Sequence, residues 1–375
     1  MKRVFLYLAA KAAHLKHIII SVTNDLTTDQ RIEKVCDTLV NNGYQITLIG
    51  RKLPESISIT RAYKTHRMSL LFRKGFLFYA EYNLRLFVKL LFLKKDLLLA
   101  NDLDTLAPNY LISKLQGKPL VYDSHELFTE IPELIHRPKT QQIWKQIEQR
   151  IVPHLKNCYT VSHHIALYYE NTYNTPFKVV RNFPKKQEIQ PGTFPFKRST
   201  KAIIIYQGAI NVGRGLELMI DSMHYLENYQ LVIIGTGDIF EALQTRAATL
   251  IKENKVHFLG KMTPVALRKL TPLATLGISL EEDLGLSYRY ALPNKMFDYV
   301  QAEIPVLCSN LPEMKAMITE YKFGEVLQQR TPKAVAKQIQ EFPLKAYAAA
   351  SSKAKNILHW KQEEQILLDL FKNAT

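Results

Sequence analysis

From His17 onward the chain alternates short apolar runs with longer amphipathic segments. Residues 17–22 are almost wholly apolar, residues 29–42 carry apolar side chains at helical spacing, and residues 45–49 are apolar again. Short runs rich in β-branched residues are typical of strands buried on both faces of a parallel sheet, and the amphipathic segment is typical of the crossover helix between them. The pattern therefore predicts a βαβ unit at the start of the fold.

Further units of the same kind follow along the chain. We predict strands at residues 97–100, 119–122, 158–161 and 178–180 and a helix at 109–116. A second series has predicted strands at 202–206, 230–234, 256–259, 276–280 and 305–308, with helices at 215–223 and 294–302. Between the two series the chain is polar, rich in proline and without periodicity. We therefore predict an α/β protein with a first domain at 1–185, a linker at 186–200 and a second domain at 201–345.

Composition and charge narrow the class of protein. The 375 residues include 50 Lys and Arg against 34 Asp and Glu, a net charge of +16 that favours an anionic partner. The three cysteines are far apart and form no CxxC pair, so we expect no zinc site and a reducing, cytoplasmic location. Residues 1–11 weakly resemble a signal peptide, but Lys11 stands where a cleavage site would be. The most apolar region, 84–100, is broken by charges, so no membrane span is expected.

The strongest candidate for ligand chemistry is a glycine-containing loop in the second domain. Residues 207–215 connect a predicted strand to a predicted helix and include Gly208 and Arg214. Backbone N–H groups at such a helix start can face a phosphate, with the arginine as countercharge. A tight turn with a solvated arginine is the alternative interpretation.

A second helix start in this domain points to the same chemistry. Pro293 precedes Asn294 and Lys295, so the free N–H groups of that helix and the Lys295 amine could contact the same anion. Asp298 lies about one turn further on, where a carboxylate either stabilises the helix N-terminus or accepts hydrogen bonds from ribose hydroxyls. The acidic residues 281–283 are equally compatible with a solvated loop.

Several of these segments resemble a known family when read in order. The glycine loop, IIGTGD (233–238), VHFLGKM (256–262) and LPNKMFDYVQAEIPVLCSNLPEM (292–314) resemble the donor half of GT-B glycosyltransferases of the retaining family 4 type, the group 1 enzymes of bacterial surface-polysaccharide synthesis. NDLDTL (101–106) and YDSHELFTEIPE (122–133) resemble acceptor halves of such enzymes. The resemblance implies two Rossmann-like domains facing across a cleft, with a C-terminal helix, 346–375, returning to the first domain.

The resemblance also implies roles for individual residues. Arg214 falls where the family has its diphosphate-binding Lys, and Asp298 falls on the second Glu of the E-x7-E motif, which contacts the ribose. His125 resembles the active-site histidine near the transferred sugar. The complete set of donor-binding candidates is Gly208, Arg214, Gly235, Gly237, Asn294, Lys295 and Asp298.

The sequence departs from the family pattern at three places. Tyr290 stands where the first Glu of E-x7-E is expected, Arg214 replaces a Lys, and the loop at 23–28 lacks a Gly-Gly pair. Glu281 or Glu282 could replace the missing Glu from upstream. We assign Glu282, together with His125, as the catalytic pair that orients the sugar.

The first domain supplies the acceptor-side candidates. These are Asp25, Asp102 and Glu126, each close to a predicted strand end. His125 could instead be a capping or packing residue, and Asp102 could cap the following helix. We interpret Arg31 with the acidic residues at 29 and 33 as a salt-bridge set in the first helical turn.

Residues 66–96 mix seven Lys and Arg residues with Leu, Phe and Tyr. A basic amphipathic helix rich in aromatic residues is suited to an anionic membrane surface, where each basic residue adds about 1 kcal/mol of attraction. The alternative is a helix that packs on the core and exposes a basic side to solvent.

These observations together predict a cytoplasmic enzyme on the inner face of the plasma membrane. It would transfer a sugar from a nucleotide-sugar donor to a glycan or lipid-linked acceptor, with retention and without a metal or other cofactor. Two alternatives remain open. One is a sugar-nucleotide 2-epimerase of the same fold, and the other is a basic nucleic-acid-binding protein, although no nucleic-acid-binding motif is present.

Overall fold

The computed structural model describes residues 16–27, 29–135, 137–196 and 200–374. The signal-like stretch at 1–11, residue 28 of the first loop and residues 197–199 of the predicted linker lie outside the described residues. The chain divides into two compact units. The first comprises the chain up to Arg181 together with the end of the chain from Glu364, and the second comprises Asn182–Glu363.

The first unit is built on a parallel sheet of seven strands. Their order across the sheet is β3-β2-β1-β4-β5-β6-β7, with β1 paired to both β2 and β4. The strands are β1 His17–Asp25, β2 Gln45–Lys52, β3 Lys64–Ser69, β4 Leu97–Asn101, β5 Leu120–Ser124, β6 Asn157–Thr160 and β7 Lys178–Val179. The strand order reverses between β1 and β4, and ligands of open α/β sheets bind at such a point, beyond the carboxyl ends of the strands.

Six helices lie wholly in the described part of this unit, besides the end of the chain from Glu364. They are α1 Gln30–Asn41, α2 Gly75–Phe92, α3 Leu103–Gln116, α4 Pro132–Ile135, α5 Pro138–Ile151 and α6 His163–Tyr173. Helix α1 starts at an Asp29 side chain that accepts a hydrogen bond from the Ile32 N–H, which is a standard N-cap. Short 3₁₀ segments occur at Phe128–Glu130 and Val152–His154.

The helix predicted at 109–116 begins six residues earlier, at Leu103, because α3 contains Pro108 in its second turn. Pro108 has no N–H to donate to the carbonyl oxygen of Asp104, four residues before it. The Asn83 side chain on α2 donates to that oxygen instead, at 2.9 Å. The proline therefore costs the helix little, and the first turn that carries Asp104 stays in place.

The second unit has a parallel sheet of six strands in the order β10-β9-β8-β11-β12-β13. The strands are β8 Ala202–Gln207, β9 Tyr229–Ile234, β10 Val256–Gly260, β11 Leu276–Ser279, β12 Val306–Cys308 and β13 Gly324–Val326. The order again reverses between two adjacent strands, β8 and β11. Ile203 and Ile205 on one face of β8 and Ile204 and Tyr206 on the other enter two separate hydrophobic clusters, so the sheet is covered on both sides.

Among the described residues from 200 to 374, ten helices follow. They are α7 Leu216–Ser222, α8 Phe240–Arg246, α9 Ala248–Lys252, α10 Pro264–Leu270, α11 Leu286–Arg289, α12 Asn294–Gln301, α13 Pro312–Tyr321, α14 Pro332–Gln340, α15 Leu344–Ala354 and α16 Trp360–Ala374. Further 3₁₀ segments occur at Met223–Tyr225 and Thr271–Leu273. The predicted α/β class with two Rossmann-like sheets is confirmed.

The segment expected as a linker packs on the second unit. Its described part, 186–196, contains no helix or strand. Phe194 is nevertheless buried, and the Phe196 ring stacks on His257 with a centroid distance of 3.7 Å. The apolar residues of this segment therefore extend the second core instead of spacing two domains.

The chain returns to the first unit later than the sequence indicated. We expected the return at residue 346, but α15 remains in the second unit and the chain re-enters the first at Glu364, inside α16. Phe371 in this helix is fully buried, with its ring 6.4 Å from that of Tyr44. Thr38 donates a hydrogen bond to Glu364 at 3.4 Å.

The basic and aromatic stretch forms the end of β3, a loop and helix α2. The helix buries residues at every fourth position, Phe78, Tyr82, Leu86 and Leu90. Its other faces expose Phe76, Leu77, Leu84, Val88 and Phe92. Lys95, which we had included among the membrane-facing cations, is buried, and its amine donates to the carbonyl oxygens of Leu90 and Leu93. No helix in the described ranges is both long enough and apolar enough to cross a membrane.

Candidate active site

The second unit gathers charged side chains where strands β8 and β11 end. Glu281 follows β11 by two residues and is 1% exposed. The amine of Lys295, in the first turn of α12, donates to Glu281 Oε1 at 2.5 Å, and the Ser279 hydroxyl donates to Oε2 at 2.7 Å. Arg214 Nη1 lies 3.8 Å from the same Oε1. Two cations thus surround one carboxylate, which leaves one positive charge for a ligand to neutralise.

The charges in this cluster stabilise one another. Burial alone would raise the pKa of Glu281, but the charge of Lys295 and its hydrogen bond hold the pKa below its usual value. Burial alone would lower the pKa of Lys295, but Glu281 raises it above its usual value. Lys295 therefore stays protonated although it is buried.

Aromatic rings hold both cations. The Lys295 amine lies 4.4 Å from the centroid of the Tyr206 ring, and the Arg214 guanidinium lies 4.8 Å from that of Tyr288. Arg214 Nε is buried and has no hydrogen-bond partner among the residues that the structure describes. This buried guanidinium N–H can donate a hydrogen bond to an anionic ligand.

The glycines predicted for the donor site have two different functions. A Cβ at Gly208 would lie 3.4 Å from Lys295 Cε, so this residue borders the charged cluster. A Cβ at Gly235 would lie 1.8 Å from the Gly208 carbonyl oxygen, and one at Gly237 would lie 2.3 Å from that of Ile210. Gly235 and Gly237 therefore allow the loops after β8 and β9 to pack backbone against backbone, and this packing places Gly208.

Helix α12 positions the remaining donor candidates. The buried Tyr299 hydroxyl accepts from the Gln207 N–H and lies 3.2 Å from the Ile278 carbonyl oxygen, which fixes the helix to β8 and β11. Asn294 is exposed at its first position. Asp298 is half-buried and accepts a hydrogen bond from Gln207 Nε2 at 3.0 Å.

Glu282 does not join this cluster. Its carboxylate lies 3.8 Å from Arg330 Nη2 and is 40% exposed. Glu281 therefore faces the two cations, whereas Glu282 faces Arg330. The solvated-loop interpretation fits Glu282 and Asp283, which pairs with Arg289 at 2.9 Å, but not Glu281. The carboxylate assigned to Glu282 from the sequence is therefore replaced in this cluster by Glu281.

The first unit holds a separate charged network around His125. Its Nδ1 lies 3.0 Å from Asp102 Oδ2, its Nε2 lies 3.0 Å from Asp123 Oδ2, and its backbone N–H donates to Asp102 Oδ1 at 2.8 Å. Asp102 adopts a positive φ of 58° to make these contacts. Asp123 also accepts two hydrogen bonds from Arg31, at 2.8 and 3.0 Å.

This network sets the protonation of the histidine. Ionised carboxylates only accept hydrogen bonds, so with both aspartates ionised each ring nitrogen of His125 donates one. Burial lowers the pKa of His125, but Asp102 and Asp123 outweigh it and raise the pKa well above its usual value. Burial raises the pKa of Asp123, yet Arg31 and His125 together bring it down to about 2. The two carboxylates therefore favour the imidazolium form of His125, which is more than a simple cap.

Arg31 is buried and contributes in a way that the sequence did not indicate. Besides Asp123, it donates to the Val180 carbonyl oxygen at 3.0 Å, near the end of the unit. The expected first-turn salt bridges are wrong, because Asp29 caps α1 and Glu33 pairs with Arg61 at 3.1 Å. The partners of Arg31 are far away in the sequence, so helical spacing could not reveal them.

A cavity of about 550 Å³ opens beside this network. Asp102, Asp104, His125 and Glu126 line it on one side. Asp104 accepts a hydrogen bond from the Thr23 hydroxyl at 2.5 Å, across the point where β1 and β4 diverge. Burial and the neighbouring Asp102 raise the pKa of Asp104 to about 8.

The acceptor-side candidates separate into two groups. Asp102 and Glu126 line the cavity, as the sequence suggested for the acceptor side. Asp25 does not line it, because its carboxylate accepts from Ser56 at 2.5 Å and lies 3.5 Å from Arg67. Burial raises the pKa of Asp25, but these contacts lower it overall. Asp25 therefore fixes the loop after β2 and does not face the cavity.

Comparisons with protein families agree for both halves of the chain. The family described as Glycosyltransferase Family 4 matches residues 30–183, and the one described as Glycosyl transferases group 1 matches residues 193–356. The sequence has no significant match among curated proteins.

Within the described residues, no group of three or more His, Cys, Asp or Glu side chains is arranged to hold a metal ion.

Solved structures share the fold at low sequence identity. A sucrose-phosphate synthase from Thermosynechococcus elongatus is 14% identical with a TM-score of 0.75, covering 96% of this chain and 98% of that one. HepE of Anabaena, in complex with UDP and glucose, is 13% identical with a TM-score of 0.71, covering 96% and 100%. WaaG, a glycosyltransferase involved in lipopolysaccharide biosynthesis, is 12% identical with a TM-score of 0.66, covering 93% and 98%.

Proposed function

We propose that this chain, whose two halves match glycosyltransferase family models and which shares the GT-B fold, transfers a sugar, with retention, from a nucleoside diphosphate donor to a glycan acceptor. The observation that carries the donor assignment is the cluster of Arg214, Lys295 and Glu281 at the ends of β8 and β11. Its net positive charge and the unpartnered Arg214 Nε suit a diphosphate.

The chemistry of transfer explains why such a cluster is useful. Negative charge develops on the leaving diphosphate as its bond to the sugar breaks, and fixed cations stabilise that charge most where water is excluded. Arg214 and Lys295 supply this countercharge, which is why we propose a reaction without a metal. Glu281 keeps Lys295 protonated and in position.

We assign the other donor contacts by position. Asp298, one turn into α12, would accept hydrogen bonds from the ribose, and its present bond from Gln207 keeps the carboxylate oriented. Asn294 and the first N–H groups of α12 would contact the diphosphate. A uridine nucleotide is the first donor to test, because HepE is described in complex with UDP and glucose.

The acceptor would occupy the cavity of the first unit. Asp102, Asp104 and Glu126 offer oxygen acceptors for sugar hydroxyls, and the His125 imidazolium holds Asp102 in place. We propose a surface-polysaccharide role and a lipid-linked acceptor. WaaG is described as involved in lipopolysaccharide biosynthesis, which makes that class of acceptor a reasonable first choice.

We further propose that the enzyme acts in the cytoplasm on the inner face of the plasma membrane. Helix α2 exposes Phe76 and Leu84, with Lys74 and Lys94 exposed at its two ends. Apolar burial and attraction to anionic lipid would both hold it there, and only the second is screened by salt. Vesicle co-sedimentation should therefore be stronger with anionic than with neutral lipid and partly salt-resistant. Equal recovery with both lipids would reject the membrane proposal.

The decisive experiment for the donor is a thermal-shift screen against UDP-, GDP- and ADP-sugars. A ligand at 100 times its Kd adds about 2.7 kcal/mol to the free energy of unfolding. A shift that Arg214→Gln abolishes would support the proposal, and no shift with any donor would reject it.

The anomeric configuration of the product, followed by NMR, would test retention. Release of an epimerised sugar without any acceptor would support the 2-epimerase instead.

A further inference from the structure

Two cavities of the first unit share a wall. The cavity beside His125 has a volume of about 550 Å³, and a second one has a volume of about 310 Å³. Arg51, Arg73 and Phe78 line both. A ligand that extends from one cavity into the other must therefore pass these two arginines.

The two cavities differ in chemistry. The first contains carboxyl groups, among them Asp102, Asp104 and Glu126, which suit the hydroxyls of a sugar. The second is lined by the apolar side chains of Leu53, Pro54, Leu70, Phe72 and Phe78 together with Ser69 and the cations Arg51, Lys52 and Arg73. The first cavity thus supplies carboxyl groups, whereas the second combines apolar and basic side chains.

The arginines in the wall are not neutralised by the protein. Within the described residues, neither Arg51 nor Arg73 forms an ion pair, although Asp102, Asp104 and Glu126 line the same cavity. Arg51 Nε is buried and lacks a hydrogen-bond partner in that part of the chain. Arg51 Nη1 reaches the Arg73 carbonyl oxygen at 3.4 Å, and its guanidinium lies 4.9 Å from the Phe78 ring centroid.

The segment that carries Arg73 is held in place from α2. Glu81 accepts hydrogen bonds from the N–H groups of Leu71 and Phe72 at 2.9 Å. Arg85 donates to the Ser69 carbonyl oxygen at 3.0 Å and pairs with Glu81 at 2.6 Å. The backbone before Arg73 is therefore fixed, and the charge of Glu81 is already used.

We infer that Arg51 and Arg73 bind a phosphate or diphosphate group of the acceptor, with its saccharide in the first cavity and its lipid chain in the second. The inference rests on the proposed function, because it names the acceptor of that reaction. Guanidinium groups bind phosphate oxygens in pairs, and the buried Nε of Arg51 supplies an unused donor. Lys74 on the first cavity and Lys52 on the second add positive charge on either side of this group.

The test measures binding by isothermal titration calorimetry below any critical micelle concentration. The probes are farnesyl diphosphate, which has both the anion and the chain, inorganic pyrophosphate, which lacks the chain, and farnesol, which lacks the anion. Farnesyl diphosphate should bind at least tenfold more tightly than either partial probe. Arg51→Gln and Arg73→Gln should each weaken it at least tenfold and leave farnesol unchanged.

Two control variants locate the anion. Lys139→Gln removes an exposed charge on α5, away from the lining of both cavities, and should leave every affinity unchanged. Arg214→Gln should weaken nucleotide binding but not farnesyl diphosphate binding. Loss of farnesyl diphosphate affinity in Arg214→Gln, with none in Arg51→Gln, would overturn the inference and place the diphosphate in the second unit. Thermal unfolding of each variant excludes simple misfolding.

A headgroup probe distinguishes the possible sources of the phosphate. Dihexanoylphosphatidylglycerol should bind at least tenfold more weakly than farnesyl diphosphate, and equal affinity would overturn the acceptor assignment in favour of a membrane headgroup. The outcome is separable from that of the donor proposal. Nucleotide binding with unchanged farnesyl diphosphate affinity in both arginine variants would reject this inference alone, whereas failure of every nucleotide to bind would reject the donor proposal alone.

Discussion

Lys295 and Glu281 form a buried ion pair with 2.5 Å between Nζ and Oε1, although fourteen residues separate them in the sequence. Removal of one partner from a buried pair leaves an unpaired charge, which costs about 3–5 kcal/mol. The pair therefore controls both the charge of the donor site and the stability of the second unit, and its two functions can be separated by mutation.

Lys295→Ala should lower both nucleotide affinity and stability, whereas Arg214→Ala should lower affinity with little loss of stability. Lys295 is almost fully buried against Glu281, and the Arg214 side chain is 24% exposed. Each lost contact to a diphosphate should cost about 1.5–3 kcal/mol of binding free energy. Calorimetric titration and thermal unfolding check this, with Lys337→Ala, from an exposed pair with Glu341, as the control. Unchanged nucleotide affinity in both variants would disprove the shared pocket.

Glu281→Gln and Glu282→Gln should behave differently. Glutamine at 281 removes the charge that holds Lys295, so we expect a loss of about 3–5 kcal/mol in the free energy of unfolding and a large fall in kcat. Glutamine at 282 affects only a half-exposed pair with Arg330, worth about 0–1 kcal/mol. Urea unfolding and steady-state transfer rates compare the two. A larger effect at 282 would restore the assignment made from the sequence.

His125→Gln should destabilise the protein more at low pH than at high pH. The pKa of His125 is raised in the folded state, so its contribution is complete below about pH 6.5 and is lost as the pH rises through the folded pKa. We expect the variant to lose about 2–3 kcal/mol at pH 5.5, from hydrogen bonds to charged groups, and less at pH 9. Urea unfolding of both proteins at several pH values measures the difference. A difference in the free energy of unfolding that does not change with pH would mean that the imidazole is neutral.

Asn83→Ala should cost about 1–3 kcal/mol because the Asp104 carbonyl oxygen then has no donor. Pro108→Ala should rescue this variant, since an alanine at 108 supplies the N–H that a helix normally directs to residue 104. The double-mutant cycle, measured by chemical denaturation, should therefore be strongly non-additive. Additive effects would show that Asn83 does not replace the proline N–H.

Phe371→Ala should destabilise the first unit by about 3–5 kcal/mol, because its ring is fully buried at the end of α16. Ile366→Ala in the same helix is the control, since that side chain is 38% exposed and should lose far less. Thermal unfolding followed by circular dichroism compares them. Equal effects would show that the returning helix does not depend on this face.

The elements that could be predicted from the sequence are those with strong apolar runs. Strand β8 was identified within one residue, because AIIIY has no other plausible structure. Strand β3, KTHRMS, was missed because it lies at the sheet edge and buries only Met68, so its sequence looks polar. The start of α3 was missed because Pro108 normally ends a helix, and its compensation by Asn83 lies 21 residues away from Asp104.

In the candidate site, too, residues with a local sequence signal could be predicted and those placed by distant contacts could not. Arg214 and Lys295 were identified together because each follows a recognisable strand or proline signal along the chain. The sequence offered both Glu281 and Glu282 as the carboxylate of this cluster. Only the path of the chain after β11 shows that Glu281 contacts the cations. The partners of His125 and Arg31 are fixed by tertiary contacts up to 149 residues apart, which no local pattern records.

Arg31 has a practical consequence for building chimaeric enzymes. Its guanidinium joins Asp123, a support of the acceptor side, to the carbonyl of Val180, one residue before the first unit ends at Arg181. If two parent sequences are joined before residue 180, the Val180 carbonyl comes from the other parent. The buried Arg31 N–H then lacks its native acceptor. Modular recombination of this protein should therefore keep α1, β5 and residues 178–181 from the same parent, so that the end of the first unit is inherited together with the proposed acceptor pocket.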